Sequence, residues 1–279
     1  MSSVKVLSAA EQSESTSLKN SLATCPLALF TKNIMVPKYL YKYVDYFIES
    51  KNSKRINYAK RNIVNNQIYF SNKNSLNDPY EIRFNVIDCE DYSLQCPAVW
   101  EGPKRMFEHW YEQFFKNIGI CSLSAKNNNM IMFSHYANDH NGICLQYDTT
   151  KDEIFRKGFP INYRNSIPYI FYSDYWKFIK SKKKDYEKLK AVFSTKHQDW
   201  IYEEEWRILH TIQSNQNGYT YNVNPECLSA IIFGLNADNS IVTEIMKIIK
   251  EKNHNINLFE SILNTSTYGL DLKPIINEL

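Results

Sequence analysis

Strand-like and helix-like segments alternate irregularly along this chain, and this irregularity is the feature that most constrains its fold. Residues 67–71 (QIYFS), 142–148 (GICLQYD) and 228–233 (LSAIIF) have the short apolar runs of strands. Residues 241–252 have helical spacing instead. A doubly wound parallel sheet needs evenly spaced βα units, which this pattern lacks. The sequence therefore predicts an α+β fold, with a mixed or antiparallel sheet core and flanking helices.

The remaining segments extend this prediction to the whole chain. Polar residues dominate the start, so residues 1–36 are expected to form a flexible leader and residues 37–279 a single domain. Asn128 or Asn129 is the expected cap of a helix at 128–137. Further strands are expected at 38–44, 119–124, 200–212 and 257–263, further helices at 57–66, 104–117 and 172–192, and a turn at 74–79.

Composition narrows the functional classes. The formal net charge of the 279 residues is only +3, so nucleic acid is not an expected partner. Lysines at 177–190 alternate with acidic residues, which is typical of a solvated helix face. The chain has only 7 Gly, and neither GxGxxG nor GxxxxGK occurs, so a glycine-rich phosphate loop is not expected.

The cysteines and the apolar segments indicate the compartment. None of the 6 Cys forms a CxxC pair, and Cys121 and Cys144 lie in apolar runs, as reduced buried cysteines do. No apolar stretch approaches the roughly 18 residues of a membrane span. The first 20 residues lack the apolar region of a general secretory signal. We expect a cytoplasmic protein, or one delivered into a host cell by a specialised secretion system.

The strongest local motif is acidic and flanked by aromatic residues. If residues 200–212 form a strand, Glu203, Glu205 and Arg207 share one face. Two stacked carboxylates repel each other, and the arginine offsets only part of that repulsion. One carboxylate can then accept a hydrogen bond while the other acts as a general base. The alternative interpretation is a solvated edge strand with an ordinary ion pair.

Two weaker motifs accompany it. The first is 130–139 (MIMFSHYAND), which follows Ser122 and Ser124 and suits hydrogen bonding to a ribose or an amide. For any one of these residues taken alone, capping and packing are the better explanation. His135 and His140 have no third ligand at zinc-like spacing, so no metal site is predicted. The second is 75–81 (SLNDPYE), a turn signature whose acidic residues could instead supply a carboxylate to the site.

Six stretches of this sequence, taken together, resemble a bacterial family known only as domain of unknown function 2971 (DUF2971). They run in order from about residue 38 towards the C-terminus, so the resemblance covers most of the chain. The stretches are 41–43 (YKY), 70–81 (FSNKNSLNDPYE), 132–137 (MFSHYA), 142–144 (GIC), 200–207 (WIYEEEWR) and 231–234 (IIFG).

The order of these stretches also resembles that of divergent ADP-ribosyltransferases, and Glu203-x-Glu205 is similar to the Glu-x-Glu motif of arginine-directed members. This resemblance implies that Glu205 holds the ribose 2′-hydroxyl of NAD and stabilises an oxocarbenium-like transition state. Glu203 would orient and deprotonate the acceptor guanidinium. The resemblance thus implies NAD as the substrate, a protein acceptor, and a mono-ADP-ribosyltransferase acting as a bacterial toxin, effector or defence protein.

The same resemblance implies which residues contact NAD. Ser122 and Ser124, or else Ser134, would shape the nicotinamide pocket, and the ring of Tyr136 would stack on nicotinamide. Lys42 lies where the family has a first-strand Arg or His, which is a departure from the family pattern. The candidate NAD-binding set is Lys42, Tyr43, Asn77, Asp78, Ser122, Ser124, Ser134, Tyr136 and Arg207.

Two other functions remain open at this point. A metal-dependent nuclease or phosphodiesterase could use Asp78, Glu81, Glu203 and Glu205, and its activity would vanish with a chelator. A non-catalytic nucleotide- or protein-binding module could keep the acidic motif as an ion pair and use the aromatic residues to line a groove.

Overall fold

A computed structural model of the chain describes residues 35–49, 57–87, 105, 109, 115–171, 191–212, 218–252 and 255–276. The expected leader at 1–36 and the expected helices at 104–117 and 172–192 lie wholly or largely outside these residues. Cys25, Cys89 and Cys96 also lie outside them, whereas Cys121, Cys144 and Cys227 are buried free thiols. Within the described residues, no helix has the length and apolar character needed to cross a membrane.

Strands hold more of the described residues than helices do. The helices are α1 (Tyr58–Asn65), α2 (Met130–Tyr136) and α3 (Asn239–Lys252). The strands are β1 (Tyr39–Val44), β2 (Gln67–Asn72), β3 (Asn85–Ile87), β4 (Ile118–Ser124), β5 (Ile143–Asp148), β6 (Phe159–Pro160), β7 (Asn162–Arg164), β8 (Tyr169–Phe171), β9 (Thr195–His197), β10 (Glu205–Thr211), β11 (Gly218–Asn222), β12 (Leu228–Phe233), β13 (Asn257–Leu263) and β14 (Leu270–Pro274).

One large sheet organises the fold. Its strand order is β11-β2-β4-β1-β5-β12-β13-β14, with β10 paired to β4 and β6 paired to β10. All pairs are antiparallel except β12–β13, whose parallel strands are joined by α3. We call residues 228–263 the C-terminal βαβ unit. Two small parallel pairs, β3–β8 and β7–β9, lie beside the large sheet. The predicted mixed sheet with flanking helices is therefore confirmed.

Apolar residues cover both faces of the large sheet, because successive side chains of a strand point to opposite faces. Leu145 of β5 and Ile231 of β12 belong to one buried cluster with Ile245 of α3, and α1 packs into the same cluster. Cys144, the residue before Leu145 on β5, points to the other face and belongs to a second buried cluster with Phe133 of α2. Helices α1 and α3 thus cover one face, and α2 covers the other.

Strand β4 is the point where the sheet divides. Strand β10 occupies one edge of β4 along its whole length, from Ser124↔Glu205 to Ile118↔Thr211. On the opposite edge, β1 pairs only at Ser124 and β2 only at Ile120 and Gly119. Between these contacts the ammonium of Lys42 donates to the Ser122 carbonyl oxygen at 2.9 Å. A side chain therefore bridges a gap in the sheet where β1 and β2 move apart.

The expected strand at 200–212 is wrong in its first part. Residues Gln198–Glu203 form a 3-10 helix, Glu204 is left-handed (φ 41°, ψ 50°), and β10 begins only at Glu205. The Ser124 hydroxyl donates to the Glu203 carbonyl oxygen at 2.7 Å, and His197 Nδ1 caps the 3-10 helix. These contacts with other elements override the strand propensity of the aromatic residues.

The other expected elements within the described residues occur within about three residues of their predicted bounds. Asn129, one of the two proposed caps, accepts from the backbone amides of Ile131 and Met132 and begins α2. Strands β3, β6, β7, β8, β9, β11 and β14 were not predicted. They have two to five residues, too few to show a periodic pattern.

Candidate active site

A small cavity of about 150 Å³ lies in the gap between β1 and β2. It brings together most of the residues singled out from the sequence, from β1, β4, α2 and the segment that leads into β10. Of the predicted site residues, the following line it: Lys42, Tyr43, Asn77, Ser122, Ser124, Tyr136, Glu203 and Glu205. Residues separated by up to 163 positions in the chain thus meet at one place.

The floor of this cavity is a network of ion pairs that we call the buried charge cluster: Glu81, Lys196, Glu203, Glu205 and Arg207. Lys196 Nζ lies 2.5 Å from Glu203 Oε2 and 3.1 Å from Glu205 Oε2. Arg207 lies 2.7 Å from both Glu205 Oε1 and Glu81 Oε1. All five side chains are at most 7% exposed. Three carboxylates face two cations, so the cluster is net negative when every group is ionised.

Glu205 is held ionised by its partners. Burial by itself would raise the pKa of this carboxyl, but Arg207 and Lys196 outweigh the burial and hold the pKa well below its usual range. A hydrogen bond from Ser122 acts in the same direction. The backbone amide of Glu205 donates to the Tyr163 hydroxyl at 2.8 Å, which fixes the start of β10. Glu205 therefore presents a fixed negative charge to the cavity.

The pKa of Glu203 is shifted in the opposite direction from that of Glu205, although both carboxylates contact Lys196. Burial raises the pKa of Glu203 and the nearby Glu205 charge raises it further, whereas Lys196 only partly opposes them. The Tyr136 hydroxyl donates to Glu203 Oε1 at 2.5 Å, and burial followed by this contact raises the pKa of Tyr136. Glu203 can therefore accept a proton more readily than an ordinary glutamate.

The backbone conformation of Glu204 brings Glu203 and Glu205, which lie on different elements, to the same cavity. The left-handed backbone of Glu204 turns the chain between the end of the 3-10 helix and the start of β10. Glu203 and Glu205 consequently both point into the cavity, and the side chain of Glu204 points outwards, where it is 47% exposed and lies 3.6 Å from Lys126. The predicted meeting of Glu203 and Glu205 thus occurs, but through a turn and not through strand alternation.

The other predicted site residues, Arg207, Asp78 and Ser134, do not line this cavity. Arg207 lies beneath the cavity as a partner of Glu205. Asp78 accepts from the Tyr80 amide at 2.8 Å, as expected of a turn residue, and lines a neighbouring cavity. Ser134 does not reach the first cavity, because its hydroxyl pairs with His140 Nε2 at 3.1 Å. Of the three serines proposed for the nicotinamide pocket, only Ser122 and Ser124 line it.

Lys196 is the functional residue that the sequence did not reveal. It lies on β9, a three-residue strand whose pairing partner β7 places Tyr163 beside it. A lysine among polar residues carries no signal of burial, yet Lys196 is buried and touches both carboxylates. Glu81 was considered as a possible carboxylate of the site, and it does line the cavity.

The metal hypothesis finds no matching geometry in the described part of the chain. The ring of His135 contacts the Tyr202 hydroxyl at 3.0 Å, and His140 contacts Ser134 instead of a shared centre. Within the described ranges, no group of three or more His, Cys, Asp or Glu side chains is arranged to hold a metal ion. The clustered carboxylates are instead bound by Lys196 and Arg207.

Comparison with known proteins supports one part of the sequence interpretation. Residues 132–208 match the family described as "Protein of unknown function (DUF2971)". The resemblance to this family is therefore confirmed for the segment from α2 to the start of β10. That segment carries Tyr136, Lys196, Glu203, Glu205 and Arg207. No curated protein and no solved structure matches the chain, so the resemblance to ADP-ribosyltransferases remains a hypothesis.

Proposed function

We propose that this protein is a mono-ADP-ribosyltransferase that moves ADP-ribose from NAD to a protein acceptor, with an arginine side chain as the expected acceptor. The observation that carries the proposal is the convergence of two oppositely tuned carboxylates, Glu203 and Glu205, on one small cavity. Both reaction partners in such a transfer are cationic at the reacting end, and the buried charge cluster is net negative.

The reaction assigns a different task to each carboxylate. The bond between ribose C1′ and the nicotinamide nitrogen breaks, and nicotinamide leaves as a neutral molecule with the electron pair. Positive charge then develops on the ribose, where the fixed charge of Glu205 stabilises it in a site screened from water. A guanidinium nitrogen bonds to C1′ and loses a proton, which Glu203 accepts because its pKa is raised.

The surroundings of the carboxylates support these tasks. The volume of about 150 Å³ is on the order of a cavity that holds one benzene ring, so the nicotinamide ring would fit and most of NAD would lie outside. Tyr136 lines this cavity while its hydroxyl holds Glu203, so its ring is available for stacking. Lys42 is engaged with the Ser122 carbonyl, which gives it a structural contact besides any contact with NAD.

A non-catalytic binding module is the second candidate. It is favoured by the ion pairs themselves, because Lys196 and Arg207 already satisfy the carboxylates in a closed network. In that case the charge cluster would specify the fold and shape a groove without turning over a substrate. The metal-dependent nuclease is not favoured, since the carboxylate oxygens that would bind the metal are paired with these cations.

The test is incubation of purified protein with labelled NAD and a cell lysate. We expect labelled protein with the wild type, loss of both transfer and NAD cleavage in Glu205→Gln, and loss of transfer with residual NAD hydrolysis in Glu203→Gln. Glu204→Gln is the matched control, because it changes the outward-facing carboxylate of the same triplet and should retain labelling. Circular dichroism establishes that each variant is folded.

Two outcomes would contradict the proposal. Absence of both label and nicotinamide release from folded wild-type protein, across several lysates, would favour the binding module. Equal loss of transfer and hydrolysis in Glu203→Gln would contradict the division of tasks between the two carboxylates, while leaving the transferase in place.

A further inference from the structure

A second cavity of about 540 Å³ lies beside the first. Lys196 contributes to the walls of both cavities, and so does the loop at 77–81, which gives Asn77 to the first cavity and Tyr80 to the second. The second cavity has the volume of a typical small-molecule site, whereas the first holds about one ring. A ligand with a ring in the first cavity would therefore have adjacent space for a larger group.

The side chains that line the second cavity include two arginines without carboxylate partners. Arg83 and Arg164 both line it, and neither forms an ion pair with any described residue. The guanidinium of Arg83 lies 5.3 Å from the centre of the Tyr80 ring. Asn162, with its amide oxygen turned towards Arg164, accepts from Nε at 3.1 Å and Nη2 at 2.8 Å. Both guanidiniums are thus positioned by neutral groups, and within the described ranges no carboxylate compensates their charge.

The acidic side chains of the same cavity do not pair with Arg83 or Arg164. Asp78 accepts from the Tyr80 amide at 2.8 Å, and Asp199 lies 3.2 Å from His197 Nδ1. The cavity therefore differs from the neighbouring buried charge cluster, where Lys196 and Arg207 are each paired with carboxylates, because Arg83 and Arg164 have no carboxylate partner among the described residues. Planar guanidiniums bind phosphate and carboxylate oxygens in pairs, so the chemistry of this cavity suits an oxyanion.

We propose that the second cavity binds the phosphate groups of the substrate, with Arg83 and Arg164 as the residues that contact them. This inference rests on the proposed function for the identity of the ligand. NAD has a cationic ring at one end and an anionic pyrophosphate in the middle, and the two adjacent sites have the complementary arrangement of charge. Lys196, at their common wall, faces both and keeps its ammonium 4.7 Å from the Trp200 ring centre.

The test is isothermal titration of the full chain with inorganic pyrophosphate and with ADP-ribose, neither of which needs turnover. Each of Arg83→Gln and Arg164→Gln should weaken both ligands roughly tenfold or more, because each removes hydrogen bonds to a charged group. Both arginines are exposed and outside buried ion pairs, so the variants should fold normally. Arg156→Gln, at an exposed arginine outside this cavity, is the matched control and should bind like the wild type.

The outcomes separate this inference from the proposed function. Absence of binding by folded wild type, or equal weakening in Arg156→Gln, would overturn the anion site. Binding that depends on the two arginines and is displaced by NAD supports the assignment to the substrate. If NAD fails to displace pyrophosphate, the assignment to NAD is overturned while the anion site stands. Arginine-dependent pyrophosphate binding without NAD cleavage would reject the transferase but retain the site.

Discussion

Apolar packing stabilises the C-terminal βαβ unit, whereas ion pairs hold the buried charge cluster together. In the βαβ unit, apolar residues repeat with the period of the element that holds them, and α3 buries Ile241, Ile245, Ile248 and Ile249 on one face. In the charge cluster, each position depends on a residue from another element, such as Lys196 on Glu203 or Arg207 on Glu81. A mutation in the first region should cost packing energy that does not depend on pH, whereas a mutation in the second should leave a buried charge without its partner.

Both candidate sites lie beside a residue whose backbone conformation is unfavourable for its residue type. Glu204 is left-handed between the two carboxylates, and Ile82, which is buried, is left-handed (φ 57°) between Glu81 and Arg83. A β-branched residue rarely adopts a positive φ, and such conformations persist only where the surrounding structure enforces them. At Ile82 the turn sends Glu81 towards Arg207 and Arg83 towards Tyr80, whereas at Glu204 it brings both neighbouring carboxylates to Lys196. Strain therefore lies beside the candidate sites in both instances.

The largest expected effect is the loss of Arg207. Arg207→Met leaves Glu205 and Glu81 buried without their shared cation, which should lower the free energy of unfolding by about 3–5 kcal/mol. Urea denaturation at neutral pH measures this change. A loss below about 1 kcal/mol would mean that water replaces the arginine and that the cluster is not truly buried.

The counterpart in the βαβ unit is Ile245→Ala. Ile245 is 0% exposed, so the cavity left behind should cost about 2–5 kcal/mol. The comparison predicts that this variant is destabilised equally at every pH, since no charge is disturbed. If its stability instead acquired a new pH dependence, the two regions would be coupled and the distinction between them would fail.

A smaller effect is expected in the pH dependence of stability, which should differ between variants of Glu205 and Glu203. The pKa of Glu205 is lowered by folding, so Glu205 stabilises the fold above pH 4.5, the ordinary value for glutamate, and this contribution is lost as the pH falls. The pKa of Glu203 is raised, so its contribution is present below pH 4.5 and is lost as the pH rises. Glu205→Gln should therefore be most harmful at neutral pH, on the order of 2 kcal/mol, and least harmful in acid.

Glu203→Gln should show the opposite trend when both variants are compared with the wild type by urea denaturation between about pH 3 and 7. Relative to the wild type, this variant should gain stability as the pH rises above 4.5. Parallel pH profiles for the two variants would show that Lys196 holds both carboxylates alike, and the assigned roles of acid–base group and fixed charge would be untenable.

The smallest effect is expected at Glu204. Glycine adopts positive φ without steric cost, and the exposed contact with Lys126 contributes little, so Glu204→Gly should stabilise the protein by at most about 1 kcal/mol. Glu204→Val places a β-branched residue at the same φ and should be destabilising. Thermal unfolding of the two variants checks the sign; a harmless valine would mean that the turn is not required.

The sequence predicted regular segments well and irregular ones poorly. The apolar runs at 228–233 and 257–263 became β12 and β13 with the expected bounds, because a buried strand needs only its own residues to be recognised. The acidic segment was predicted as a continuous strand from 200 to 212, because Trp, Tyr and Ile all favour strands. The 3-10 helix at Gln198–Glu203 is held by the Ser124 hydroxyl, which comes from a distant strand that no local pattern reveals.

Some residues of the candidate site were recognised from the sequence, and others were not. Glu203, Glu205 and Ser122 were recognised because charged and hydroxyl groups beside apolar runs are conspicuous in a sequence. Ser134 also lies beside apolar residues in the sequence, but its hydroxyl contacts His140 and does not line the cavity. Lys196 was missed, since nothing nearby marks this lysine as buried. Side-chain direction and burial are decided by packing partners at distant positions.

The amino-acid sequence by itself determined the α+β class, the buried strands, a helix cap at Asn128 or Asn129 and the presence of a Glu-x-Glu pair. Local hydrophobic periodicity and capping chemistry are sufficient for these features. Only the tertiary structure decided that β1 and β2 separate along β4, that Lys196 joins the two carboxylates, and that these acquire opposite pKa shifts. The reason is physical: the free energy of a charge depends on its burial and on its partners. Lys196, Glu203, Glu205 and Arg207 are close in sequence, but Glu81 and Ser122, which contact the cluster, come from distant positions in the chain.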